Sequence, residues 1–171
     1  MYISSDDLNL QKATMSVKLL DFSGNIHTDE LFSVDIPGNT SLVYYDTLQT
    51  ALIGNLNPGE LALLVTLDGD STLPDMVKEK NLLYFVSPKE LQLPVPVISK
   101  KVKETPTGYA IVLSCDKLVK NLFLSTSVKG DFSDNYFDML PGVPVEVQFN
   151  TPDKNPNMAD LILVKSLIDT Y

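Results

Sequence analysis

Apolar and polar residues alternate with a period of two through most of this chain, which predicts half-buried antiparallel strands. Ala13, Met15, Val17 and Leu19 alternate with Thr14, Ser16 and Lys18. The alternation breaks at Leu20 and Phe22, where a bulge is expected before the turn Ser23-Gly24-Asn25. Phe32, Val34 and Ile36 form a second strand closed by Pro37-Gly38-Asn39, and Leu42 to Leu48 a third. Asn57-Pro58-Gly59 then turns into Leu61, Leu63, Val65 and Leu67, which Asp68-Gly69-Asp70 ends. Leu82 to Val86 is a further strand, stopped by Ser87-Pro88. The one helical fragment expected is Pro74 to Lys80, about two turns at most.

A second set of strands follows the stretch Leu93-Pro94-Val95-Pro96. Val97 to Lys103 is expected to turn its lysines to water. Tyr109, Ile111, Leu113 and Cys115 share one apolar face, and Leu122 to Val128 comes next. A polar loop, Lys129 to Asn135, precedes Val143, Val145, Val147 and Phe149, all expected to point inward. Pro152 to Pro156 is a loop, and Leu161 to Ile168 a final apolar strand. Short strands every eight to twelve residues, separated by Gly, Pro, Asn and Asp, are the signature of β-sandwiches. Alternate prolines stiffen the joint and forbid ladder bonds through it. The expected architecture is therefore all-β, two consecutive antiparallel sandwiches over residues 1–93 and 94–171. One larger sandwich is the alternative.

Composition narrows the function classes. The 171 residues carry 13 basic against 22 acidic side chains, a net charge of −9, and every basic residue is lysine. Without arginine there is no bidentate fork for phosphate or guanine. The acidic balance opposes polyanions and anionic membrane surfaces, because such binding comes from cations displacing counterions. No nucleic-acid or membrane partner is expected. No apolar run reaches the length of a transmembrane helix, and the first residues lack the basic and apolar regions of a signal peptide. Sixteen Asp against 6 Glu favour turns and caps over helix interiors.

Candidate chemistry is sparse. Cys115, the lone cysteine, sits on an apolar strand face, and the lone histidine, His27, belongs to the other expected domain. The base that would generate a thiolate is therefore missing. Asp68, Asp70 and Asp75 loosely resemble a calcium loop but lack the glycine and glutamate spacing of an EF-hand. No carboxylate lies in an apolar strand run that would raise its pKa for acid catalysis. Tyr44 and Tyr45 are consecutive on an expected strand, so they face opposite sides and form no joint sugar platform, and tryptophan is absent. Asn39-Thr40-Ser41 matches a glycosylation sequon. No catalytic, cofactor-binding or metal residue is assigned, and no cofactor is expected.

The most distinctive segment runs from Asp131 to Gly142 (DFSDNYFDMLPG): an Asp/Asn-capped loop, an aromatic pair, and a Pro-Gly turn expected to be type II. Here the chain resembles the C-terminal immunoglobulin-like region of glycoside hydrolase family 2 β-mannosidases. The resemblance extends through Asn121-Leu122-Phe123-Leu124, through Asn81 to Pro94, and to Leu19-Leu20-Asp21-Phe22-Ser23-Gly24. It implies immunoglobulin-like sandwiches, the penultimate and last domains of a longer retaining glycosidase that removes terminal β-linked mannose. The catalytic glutamates of that family lie upstream on a (β/α)-barrel, so no catalytic residue carries over, and Met1 is then expected to be an added start. The implied role is structural or interdomain packing, with Asp134, Asn135, Tyr136, Phe137, Asp138, Leu140, Pro141 and Gly142 determining the fold. Implied partners are the upstream domains of the parent polypeptide, with homo-oligomerisation left open. The compartment is left open, with the periplasm as one option if the parent is bacterial. The alternative is an independent carbohydrate-binding or adhesin-type sandwich module.

Overall fold

The computed structural model describes residues 1–69 and 78–170. The chain divides into two compact units, one of residues 1–21 and 25–91, the other of residues 22–24 and 92–171.

The first unit is built on a four-stranded antiparallel sheet. Its strands are β2 (Gln11–Asp21), β3 (Ile26–Ile36), β5 (Leu61–Gly69) and β6 (Lys78–Tyr84), in the order β3-β2-β5-β6. Between β3 and β5 come β4 (Thr40–Val43) and a short helix α1 (Gln49–Ile53), and β4 pairs with β1 (Tyr2–Ser5) as a two-stranded sheet. Met15, Val17 and Leu19 on β2 face Leu67, Val65 and Leu63 on β5 in register, and Val34, Ile36, Ile53 and Leu61 complete the core. The break in alternation at Leu20 coincides with a register shift against β3 between Leu19 and Leu20. β3 begins at Ile26 rather than Phe32, because the polar run from His27 to Glu30 is held by the β2 ladder, not by apolar burial. The segment Leu42 to Leu48 is not one strand: β4 ends at Val43. Tyr44 and Tyr45 therefore do not project to opposite faces of a strand but both pack against the core. Of the helix expected over Pro74–Lys80, Lys78–Lys80 belong to β6, and the rest lies outside the described residues.

The second unit has two antiparallel sheets. One contains β7 (Ile98–Thr105), β8 (Gly108–Cys115), β10 (Asp131–Phe132) and β12 (Val145–Asn150) in the order β10-β12-β8-β7. The other contains β9 (Val119–Ser125), β11 (Phe137–Met139) and β13 (Leu163–Lys165) in the order β11-β9-β13. Tyr109, Ile111, Leu113, Val147 and Phe149 from the first sheet meet Leu122, Leu124 and Met139 from the second, with Met158 of the short helix α2 (Met158–Leu161) and Ile162. Two facing sheets with a shared apolar interior are the immunoglobulin-like sandwich arrangement.

Three expectations for this unit are corrected. Val143 is 47% exposed and precedes β12, because the chain is still leaving the Pro141-Gly142 turn. Lys100 does not face only water: its ammonium donates to the Ile162 carbonyl. The run Leu161–Ile168 is split into the end of α2, three residues of β13 and a 3-10 turn, Leu167–Thr170. That break is polar in origin. The Ser166 amide and hydroxyl both donate to Asp169 Oδ2, at 2.7 and 3.0 Å, which caps a new turn inside an apolar stretch.

Cys115 is buried, and its thiol donates to the Leu140 carbonyl at 3.4 Å. Burial, and then the negative charge of Asp116, push the thiol pKa up. A group whose folded pKa is raised contributes stability that is full below its unfolded value, near pH 8.5, and is lost as pH rises toward the folded value. The stability difference between the parent chain and Cys115→Ala is therefore expected to shrink above about pH 8.5. Urea melts of both proteins across alkaline pH check this, and a difference that grows with pH would contradict it.

Candidate functional site

The segment Asp134–Gly142 crosses from the polar loop into β11 and then turns toward β12, and its polar side chains bond backbone at each step. Asp134 Oδ1 accepts from the Asn135 amide at 2.7 Å. Asn135 Oδ1 accepts from the Leu124 amide at 2.8 Å, and its Nδ2 donates to the Leu124 carbonyl at 2.9 Å. This amide side chain thus imitates a neighbouring strand, meeting both backbone groups of one β9 residue. Asn135 Oδ1 also accepts from the Tyr136 amide at 3.1 Å.

Tyr136 stands in the left-handed region at φ 60°, and its ring stacks on Phe123 with centroids 4.9 Å apart and planes 28° apart. Phe137 pairs with Leu122 in register and packs, half-buried, against the core. Asp138 Oδ1 accepts from the Asn121 amide at 2.8 Å, and the carboxylate pairs with Lys120 Nζ at 3.0 Å. Asn121 is itself left-handed, at φ 50°. Met139 is fully buried opposite Val119, and the register shifts between Phe137 and Met139. Leu140, Pro141 and Gly142 form the turn: the Val143 amide donates to the Leu140 carbonyl at 3.2 Å, with Gly142 at φ 71° as a type II turn requires. The Gly142 amide donates to the Cys115 carbonyl at 3.0 Å, tying the turn to β8.

Asn135→Ala removes both bonds to Leu124 and is expected to destabilise the chain by about 2 to 3 kcal/mol, the sum of two part-buried amide bonds and their desolvation. Asn135→Asp should also lose stability, because it sets a carboxylate against the Leu124 carbonyl. Urea denaturation checks both, and losses under about 0.5 kcal/mol would show that water replaces the amide.

The other candidates lie apart from this segment. His27 is exposed, with Nε2 3.6 Å from Asp21 Oδ2. Asp68 is exposed at the end of β5, while Asp70 and Asp75 lie outside the described residues. Among the described residues, no group of three or more His, Cys, Asp or Glu side chains could hold a metal ion. The first unit contains a cavity of about 860 Å³ lined in part by Met15, Leu63, Val65 and Phe85 together with Asp7 and Glu79. The Asn9 amide and the Gln11 side chain hold the Asp7 carboxyl below its usual pKa. Sequence reasoning missed the Phe123–Tyr136 pair, and periodicity carries no signal for it, since one ring lies on a strand and the other in a loop.

Residues 1–90 match the family described as the mannosidase Ig/CBM-like domain, and residues 93–170 match a mannosidase family described as an Ig-fold domain. The chain is 26% identical over 185 residues to β-mannosidase A of Aspergillus fumigatus, covering 99% of this chain and 20% of that protein. It therefore spans about one fifth of the length of the curated relatives it matches. The crystal structure of β-D-mannosidase from Dictyoglomus thermophilum superposes with a TM-score of 0.76 at 17% identity, over 97% of this chain and 20% of that one. The exo-chitosanase of Amycolatopsis orientalis superposes with a TM-score of 0.53 at 9% identity, over 96% of this chain and 24% of that one. No described helix is long and apolar enough to cross a membrane. The chain belongs to the mannosidase immunoglobulin-like families, with the C-terminal Ig-like domains of glycoside hydrolase family 2 β-mannosidases.

Proposed function

We propose that this chain serves as a non-catalytic scaffold, the penultimate and last domains of a β-mannosidase whose active site lies on a separate upstream domain. The observation that carries this reading is the use of polar side chains in Asp134–Gly142. Asn135 and Asp138 bond the backbone of β9, and Asp138 also pairs with Lys120, rather than converging on a cleft. The share of the curated relatives that the chain covers supports the same reading. In this role Asp134, Asn135, Tyr136, Phe137, Asp138, Leu140, Pro141 and Gly142 hold one geometry of the last sandwich against which upstream domains pack. The parent would hydrolyse terminal β-mannosides.

The test has two parts. The coding DNA upstream of Met1 is expected to continue as an open frame into a (β/α)-barrel carrying two catalytic glutamates, whereas a stop codon directly before Met1 overturns the proposal. The purified chain is expected to leave an aryl β-mannoside unhydrolysed, and turnover above the buffer blank overturns the non-catalytic assignment.

A further inference from the structure

We propose that the free edge of β3 pairs two copies of this chain, antiparallel and centred on Leu31. β3 ends one side of the first unit's sheet, and among the described residues β2 is its sole ladder partner. The Tyr44 hydroxyl donates to the Asp35 carbonyl at 2.8 Å, so that carbonyl is turned away from β2. Backbone groups alternate sides along a strand, so those of Ser33, Leu31 and Asp29 face outward with it. The Asp21 amide, which donates to the Asn25 carbonyl at 3.0 Å, gives the same phase from the β2 side. The Leu31 side chain lies opposite Ser16, on the face away from the core, and is 70% exposed. An open row of donors and acceptors with an exposed leucine at its middle is a template for another strand.

The other long edges are guarded and this one is not. β7 carries Lys100, Lys101 and Lys103, and β6 carries Lys78 and Lys80. Over eleven residues β3 has neither lysine nor proline, and its register shift against β2 lies at the turn end. The register of the edge selects a second copy as the partner. Centred on Leu31, antiparallel pairing sets Leu31 against Leu31, Asp29 against Ser33 and Glu30 against Phe32. Asp35 then falls opposite His27, so no carboxylate meets another. Asp29 is itself paired with Lys18 at 3.1 Å. The reciprocal amide–carbonyl bonds of the two Leu31 residues coincide with the two-fold axis, as an isologous contact requires. About seven residues per copy is fewer than the roughly 20 to 30 of a standard interface, so the dimer is weak.

The test is sedimentation equilibrium of the 171-residue chain from about 10 μM to about 1 mM, with amide NMR over the same range. The mass is expected to rise from 18.9 kDa toward twice that, with a Kd on the order of 0.1 mM. Amide shifts are expected to follow concentration at Asp29, Leu31 and Ser33, and far less at Glu30 and Phe32, which bond β2. Leu31→Lys sets two ammonium groups against each other and is expected to weaken association at least about tenfold. Leu48→Lys changes the net charge equally, at a leucine 75% exposed outside β3, and is expected to dimerise at least as well as the unsubstituted chain. Each copy carries −9, so association is also expected to tighten as salt screens the repulsion. A mass that stays at 18.9 kDa up to about 1 mM overturns the proposal, as do shifts centred away from β3. A folded Leu31→Lys that dimerises fully does the same. Weakening by salt would assign the contact to ion pairs elsewhere and equally overturn it. The inference goes beyond the scaffold reading: the upstream reading frame decides that reading, and neither dimer nor monomer alters it.

Discussion

Gly108→Ala is expected to destabilise the second unit by about 3 to 5 kcal/mol, within the range of core truncations and forbidden-backbone substitutions. Gly108 opens β8 at φ 151°, a region that side chains rarely adopt. A methyl group there would lie 2.0 Å from the Phe149 carbonyl oxygen and 3.0 Å from the Thr151 amide nitrogen. Both are backbone atoms of the paired chain, so no rotamer change relieves the clash. Either β12 moves away from β8 or Gly108 changes conformation. The first breaks the bond from the Thr151 amide to the Thr107 carbonyl and drags Phe149, 1% exposed, out of the core. Gly142→Ala separates the two causes. Its φ is 71° but nothing lies within 4 Å of the added methyl, so it should lose only the conformational part, about 1 to 2 kcal/mol. Urea denaturation followed by far-UV circular dichroism checks both. Equal losses in the two variants would mean that the close approach to Phe149 is absent in solution.

Asp138→Ala is the second large effect, expected at about 2 to 4 kcal/mol. The Lys120 and Asp138 side chains are 15% and 16% exposed, so the pair is screened far less than a surface ion pair. Removing the carboxylate leaves the Lys120 ammonium in a part-buried site and takes the acceptor from the Asn121 amide. The Asn121 backbone, held left-handed, then loses the contact that fixes it. Asp138→Asn keeps an acceptor for that amide and gives up the charge, so it should lose about half as much. The double variant Lys120→Met with Asp138→Leu removes both charges together and should recover part of the loss. A double variant no more stable than Asp138→Ala would show that the lost backbone bond, not the charge pair, dominates.

These sites differ in how far they could be read from the sequence. The buried face of β8, Tyr109 through Cys115, and the core positions of β2 follow from strict alternation, because a one-residue error would turn the whole apolar set to solvent. The Pro141-Gly142 turn is equally local. β1 and β11 were invisible, since three or four residues carry too little pattern and exist only through their partners, β4 and β9. Leu161–Ile168 misled for the opposite reason: its apolarity is real, but the Ser166–Asp169 cap competes with strand formation.

The candidate segment divides along the same line. Its residues stood out in the sequence, and so did the family they resemble, because both are properties of consecutive positions. What each residue does is a matter of distance along the chain. Asn135 meets Leu124 eleven positions away, and Asp138 meets Lys120 eighteen positions away. The Tyr136 ring finds Phe123 only after β9 and β11 have paired. Strand period, turn chemistry, the acidic, arginine-free composition and the sandwich class were legible along the chain, because each is set by residue identity and by neighbours a few positions apart. The tertiary structure alone decided which donors and acceptors meet, which backbones are held at positive φ and which strand edge stays open. Those outcomes arise from strand pairing that closes long loops, and no local preference encodes them.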